Sequence, residues 1–226
     1  MDDVLDAAIA DIHPFYANVM CLDFANSLEP RGGPPPIDVP PNVEIRDDLM
    51  SYPHLVAWTH LASGYDREVA LAILGKSDGD QKHASRILAE AHTLRDVLYR
   101  VFWSVAVEQQ PASADLDAVR TAYASAVGGA SLVFSESWLL EDSAIDLARP
   151  LWPIARSAME LLTHGRVDRI KVCPGKGRPP VHCAWLFLDT TKNGSRRWCS
   201  MSDCGAAEKA LHQTARRRKK AALLKA

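Results

Sequence analysis

Four of the five cysteines fall in the last quarter of the chain, at Cys173, Cys183, Cys199 and Cys204, separated by nine, fifteen and four residues. Thiolates are soft ligands, and zinc in a structural site takes four of them tetrahedrally. In a reducing compartment such a cluster binds metal in preference to forming two disulfides. The expected cofactor is therefore one structural Zn2+ on these four cysteines. A four-thiolate ion has no open position for substrate, so the metal would not be catalytic. His182, next to Cys183, is an alternative ligand; disulfides or unligated thiols are the competing fate. Cys21, among Met20, Leu22 and Phe24, reads as a buried small hydrophobe.

The segments between the ligands should position them. Residues 184–189 (AWLFLD) are apolar and aromatic, and Asn193-Gly194 is the strongest short hairpin signal. Residues 196–200 (RRWCS) are then expected to return as the second strand. After a turn, Ser202 or Asp203 should cap a helix from Cys204 to about Leu224, whose N-terminal dipole favours a thiolate. The result is a treble-clef-like ββα zinc-finger module. It holds few apolar residues, so zinc, worth on the order of 10–16 kcal/mol in small fingers, is expected to carry its stability, and loss of one cysteine should unfold it.

The final helix is basic. Lys209, His212, Arg216 and Lys219 share one face, flanked by Gln213, Arg217 and Lys220, while Ala207, Leu211 and Ala215 can face the hairpin. With Arg218, and with Arg196 and Arg197 on opposite sides of the second strand, these are the candidate nucleic-acid contacts. Such a helix fits a DNA major groove by size and charge. A solvated basic tail, RNA binding and a surface that docks an acidic protein are the competing readings.

The charge balance sharpens this picture. Residues 164–226 carry 15 Lys+Arg and 4 Asp+Glu, a net +11, whereas residues 1–163 carry 11 and 24, a net −13. Opposite blocks indicate two modules with different partners, the basic one attracting a phosphate backbone; mutual neutralisation across an interface is the alternative. The first block, 1–163, reads as one mainly helical domain. A short helix is expected over 1–12, core over 18–28, a helix over 47–62 with Pro53 in its first turn, and another capped by Asp66. The clearest helix spans about 80–108, with Ile87, Leu88, Ala91, Leu94, Leu98, Val101, Phe102 and Val105 on one side and Glu90, Arg95 and Arg100 on the other. Ser113 should cap a helix ending at Gly128-Gly129; 131–140 is β-like; 144–163 is helical, with Pro150 and Pro153 bending it or marking its start. The proline-rich 31–41 is expected to be a surface loop, a flap over a pocket. Histidines 13, 54, 60, 83 and 92 are read as surface groups or core hydrogen-bond partners.

No apolar run spans a membrane and the acidic N-terminus is no signal peptide, so the chain is expected to be cytoplasmic. No metalloprotease, P-loop or nucleophile-elbow motif is present, so it is not expected to be an enzyme. The rivals are a small-molecule pocket in the helical domain and a docking adaptor.

The stretch CAWLFLDTTKNGSRRWCSMSDCG over 183–205 resembles the CGNR zinc finger, and CLDFANSL over 21–28 resembles the opening signature of the ABATE domain. Bacterial proteins pairing the two are described as stress-induced transcription regulators. The resemblance implies a transcription regulator, with the finger on DNA and the helical domain sensing a small-molecule effector or joining subunits; because one finger offers few contacts, a homodimer is expected. The finger's naming motif, Cys-Gly-Asn-Arg, here reads Cys204-Gly205-Ala206-Ala207. Ligand and glycine are kept, but the polar pair is gone from the turn where recognition helices usually meet bases.

Overall fold

The computed structural model describes residues 1–31, 44–134, 138–142, 144–175 and 183–223. Of the proline-rich stretch 31–41 only Arg31 is described, and it is buried against Asp96 (2.9 Å), not on a surface loop; the rest of the expected flap and His182, the alternative ligand, lie outside the described residues.

The described fold is mainly α, with short antiparallel ribbons. In chain order the helices are α1 (Asp2–Ala10), α2 (Met20–Ala25), α3 (Tyr52–Ser63), α4 (Arg67–Gly79), α5 (Gln81–Ala106), α6 (Ser113–Gly128), α7 (Trp152–His164) and α8 (Cys204–Leu223). Ribbons join β1 (Leu28–Glu29) to β2 (Arg46–Asp47), β3 (Ser131–Phe134) to β4 (Trp138–Glu141), and β5 (Ile170–Val172) to β6 (Leu186–Leu188). No described helix is long and apolar enough to cross a membrane.

Helix α5 is the spine. Asp80 caps it, accepting from the His83 amide at 3.0 Å, and Ala84, Ile87, Ala91, Leu94, Leu98, Val101 and Phe102 are buried along its apolar stripe. Around it pack α2, α3, α4, α6 and β5. Pro53 stands in the first turn of α3, where its missing N–H costs nothing, and Gly64 ends that helix in the left-handed conformation (φ 69°). Trp58 on α3 is fully buried, edge-on to Phe15 (5.1 Å) and Phe24 (5.2 Å). The two prolines of 144–163 mark a start, not a kink: a 3₁₀ turn over Arg149–Leu151 leads into α7.

Two expectations need correction. Arg95 does not lie on the outer side of α5; it is buried and paired with both oxygens of Asp47 on β2, at 2.5 and 3.1 Å. Nor do 196–200 form a strand. Strand β6 pairs instead with β5, in the register Ile170↔Leu188, Lys171↔Phe187 and Val172↔Leu186. The Asn193-Gly194 turn is real, with Gly194 at φ 61°, but Asp189 closes it. One carboxylate oxygen accepts from the Thr191 amide (2.9 Å) and hydroxyl (2.6 Å), the other from the Arg196 amide (3.0 Å) and the Lys171 ammonium (2.6 Å). Burial works against this charge, yet Lys171 and the Thr191 donors hold the Asp189 carboxyl well below the usual carboxylate range.

Candidate metal centre and basic helix

Ribbon β5–β6 sets the first two cysteines. Cys173 directly follows β5, its amide donating to the Trp185 carbonyl at 2.8 Å; Cys183 stands just before Ala184, whose φ of 55° turns the chain into β6. Past the Asp189 turn, Cys199 arrives on irregular chain. There the Ser200 hydroxyl, not Ser202, accepts the Asp203 amide at 3.2 Å. Cys204 opens α8, which the Ala207 amide begins by donating to the Asp203 carbonyl at 2.9 Å.

The four sulfurs lie within 4.8 Å of one another, with Cys183–Cys199 at 3.6 Å and Cys199–Cys204 at 3.8 Å. Tetrahedral zinc with bonds of about 2.3 Å sets its sulfurs about 3.8 Å apart, whereas a disulfide needs about 2.05 Å. All five cysteines are free thiols, so the geometry fits the ion and not a bridge. Electrostatics agrees. Hydrogen bonds from the other three thiols pull Cys173 far below the usual thiol range, and the same crowding around that anion pushes Cys183 and Cys199 up. Four sulfurs this close cannot all ionise unless a cation sits among them. Cys173, Cys199 and Cys204 are buried; Cys183 is partly exposed, on a crevice of about 250 Å³ that it shares with Cys199, His13, Tyr16 and Trp185. Cys21 is fully buried, and burial pushes its thiol up to about 12.

The zinc module is bound tightly to the helical part. The outer edge of β6 is closed by the segment around α2: Leu188 N–H donates to the Ala17 carbonyl (2.9 Å), and the Asn18 amide donates to the Leu188 carbonyl (3.1 Å). Asn26 both donates to the Leu186 carbonyl and accepts its amide, each at 2.8 Å. From α5, Tyr99 Oη donates to the Ala184 carbonyl at 2.8 Å. Leu186 and Phe187 are fully buried in the same core as α2 and α5. The expectation that zinc alone holds the ββα unit therefore narrows to the part beyond β6.

Sequence reasoning missed these contacts, although Asn26, a polar residue inside an apolar run, was the available signal. It also misjudged Arg196. That side chain turns inward, its Nε donating to Trp198 O at 3.0 Å and its Nη atoms to Leu188 O (3.4 Å), Tyr16 O (2.5 Å) and Cys199 O. Its plane lies 4.5 Å over the Phe187 ring. With its donors spent on carbonyls, Arg196 leaves the candidate nucleic-acid set. Arg197 is exposed and lies over Trp198 at 4.9 Å.

Along α8, Cys204 and Gly205 are buried and Ala207 and Leu211 half-buried, but Ala215 is exposed, so the helix leaves the body after Leu211. Lys209, His212, Arg216 and Arg217 are all exposed; His212 Nε2 lies 3.0 Å from Glu208 one turn back. The helix also carries Arg218, Lys219 and Lys220. Twenty residues at about 1.5 Å each make a rod of about 30 Å. Two histidines of the helical part serve as hydrogen-bond partners within it, His92 with the Leu49 carbonyl (2.9 Å) and His60 with the Tyr65 carbonyl (2.6 Å).

Two protein families match the chain. ABATE, described as "Putative stress-induced transcription regulator", covers residues 18–165, and the CGNR zinc finger covers 169–218. No curated protein matches it at a significant level.

Proposed function

Because the chain belongs to the ABATE family and carries a CGNR zinc finger, we propose that it regulates transcription by holding DNA against α8. One observation carries the reading: a 20-residue helix rooted at Cys204 of a tetrathiolate site, with Lys209, Arg216 and Arg217 exposed once it leaves the body. The four cysteines hold zinc, which fixes the base of the helix and takes no part in chemistry. Lys209, His212, Arg216, Arg217, Arg218, Lys219 and Lys220, with Arg197 at the turn, supply contacts to phosphates. Ala206 and Ala207 leave the first turn without polar groups, so the weight of binding falls on the DNA backbone. One finger offers few contacts, and a second copy on a paired half-site would complete the complex.

Fluorescence anisotropy on labelled genomic fragments tests this reading. With about five phosphates neutralised, log affinity should fall against log salt with a slope near −4.5, from about −0.9 per phosphate. Arg216→Glu with Arg217→Glu should abolish binding, and so should a chelator. Absence of binding by the intact protein at low salt would end the proposal. Retained binding by the double variant would end the assignment to α8. Sedimentation of the complex should show two chains per duplex.

A further inference from the structure

Helices α3 and α5 open on the same pattern, a capping residue followed three positions later by a histidine, and they use it differently. At the start of α5 the Asp80 carboxylate accepts the His83 amide, an ordinary cap. At the start of α3 the Ser51 hydroxyl makes no such bond; it lies 2.7 Å from His54 Nδ1. The opposite ring nitrogen, Nε2, lies 3.2 Å from a carboxylate oxygen of Asp11, the residue that ends α1. Leu5 and Ala8, both buried, hold α1 to the core.

The placement of the protons follows from this order. An ionised carboxylate only accepts, so Asp11 puts the ring proton of neutral His54 on Nε2 and leaves Nδ1 to accept from the Ser51 hydroxyl. A serine that donates to a histidine oriented by a carboxylate is activated as a nucleophile. All three residues line a cleft of about 330 Å³ between α1 and α3, near the lower end of small-molecule sites. Val4, Ala7, Ala8 and Pro53 make the rest of its wall largely apolar, and Asp3 adds a second carboxylate beside Asp11. The amides of Tyr52 and His54, in the first turn of α3, have no acceptor within the helix and lie at its positive end. An oxyanion developing next to Ser51 would be stabilised there.

We propose that Ser51, His54 and Asp11 form a hydrolytic site for small carboxylic esters without negative charge. Ser51 Oγ adds to the ester carbonyl as its proton passes to His54 Nδ1 and the carbonyl electron pair moves to oxygen. Collapse of that intermediate breaks the bond to the alcohol, which leaves with the proton from Nδ1. Water then attacks the acyl-serine, giving its proton to Nδ1, and Ser51 Oγ recovers that proton as the acid departs. Ester and water become acid and alcohol with no cofactor. Asp11 acts through His54 as a positioning residue. The site matches no sequence motif because His54 and Asp11 stand 43 positions apart, on different helices. It is separate from the zinc centre and does not rest on the role given to α8.

The full chain is treated with a fluorophosphonate, which phosphonylates activated serines, and mapped by peptide mass; the label should fall on Ser51. With p-nitrophenyl acetate as substrate, Ser51→Ala should remove turnover, and His54→Ala should lower kcat about a hundredfold. Asp11→Asn should lower kcat about tenfold with KM unchanged, a split that lost packing would not give. His83→Ala, at the corresponding position of α5, should leave both constants as in the wild type. The anionic p-nitrophenyl succinate should react about tenfold more slowly than the acetate. The proposal is overturned if the folded wild type takes no label on Ser51, if Ser51→Ala keeps its turnover, if His83→Ala loses as much as His54→Ala, or if the anionic ester reacts as fast. Labelling needs no variant, so it stays decisive should a substitution unfold the chain. It needs no DNA either, so failure here leaves the proposed function standing.

Discussion

At the residue scale, the zinc ligands were legible from identity and spacing alone, because few residue types bind soft metals and four thiols close together have few other uses. Arg196 was not legible. Inside a run of basic residues, an inward guanidinium looks like its exposed neighbour until the carbonyls around it are known. Replacing Arg196 with Ala strands the carbonyls of Tyr16, Leu188, Trp198 and Cys199, and should cost about 2–3 kcal/mol in urea unfolding while leaving the salt slope of DNA binding unchanged. Asp23 makes a second case. Burial raises its carboxyl to about 6, against the hydrogen bonds from the Ala17 and Tyr16 amides, both 2.8 Å long, and the pull of Arg196. A carboxyl raised on folding favours the native state most when protonated. Its contribution is therefore full below about pH 4 and is lost as pH rises toward 6, by about 3 kcal/mol at most. Asp23→Asn keeps an oxygen acceptor for both amides, so the difference in stability between variant and wild type should change across pH 4–6 and level off above it. A third expectation concerns reactivity. In metal-free protein, limiting iodoacetamide should label Cys199 and Cys204, on the segment that the metal holds, before the fully buried Cys21, as peptide mass mapping would show.

Among elements, α5 could be read closely, since a long 3.6-residue period survives any arrangement of its neighbours. Strand β5 could not. Three residues, Ile170, Lys171 and Val172, carry too little pattern, and their partner lies beyond two cysteines and a long loop. The hairpin signal at Asn193-Gly194 was correct about a turn but wrong about what it joined, because Asp189 supplies from its side chain the closure that a second strand would otherwise provide. This difference decides what the metal supports. Strands β5 and β6 retain their ladder, the Asn26 clamp and the burial of Leu186 and Phe187, each worth about 1.5–3 kcal/mol, whether or not zinc is present. The segment from Cys199 into α8 has mainly the thiolate cage. Hydrogen exchange after chelation should therefore show rapid exchange over residues 199–217 with β6 still protected; equal loss in both would return the whole ββα unit to dependence on the ion.

For the whole molecule, the contrast between a −13 and a +11 block suggested two modules, and the families meet between residues 165 and 169. The packing is more continuous than that boundary. Ile170, Trp185, Leu186 and Phe187 share one buried cluster with Phe24, Leu98 and Phe102. Charge patterning reports on surfaces, and so it could foresee an exposed α8 but not the apolar seam beneath it. A fragment of residues 166–226 should remain unfolded with zinc supplied, giving collapsed amide dispersion by NMR, because it lacks the groups that close the outer edge of β6. That edge also governs how such proteins could be recombined. A finger transplanted from a relative onto this helical body would meet Ala17, Asn18 and Asn26 across β6, and its own counterpart of Arg196 would need the Tyr16 carbonyl in reach. The finger would therefore have to be exchanged together with the eleven residues from 16 to 26, although some 140 residues of sequence separate them.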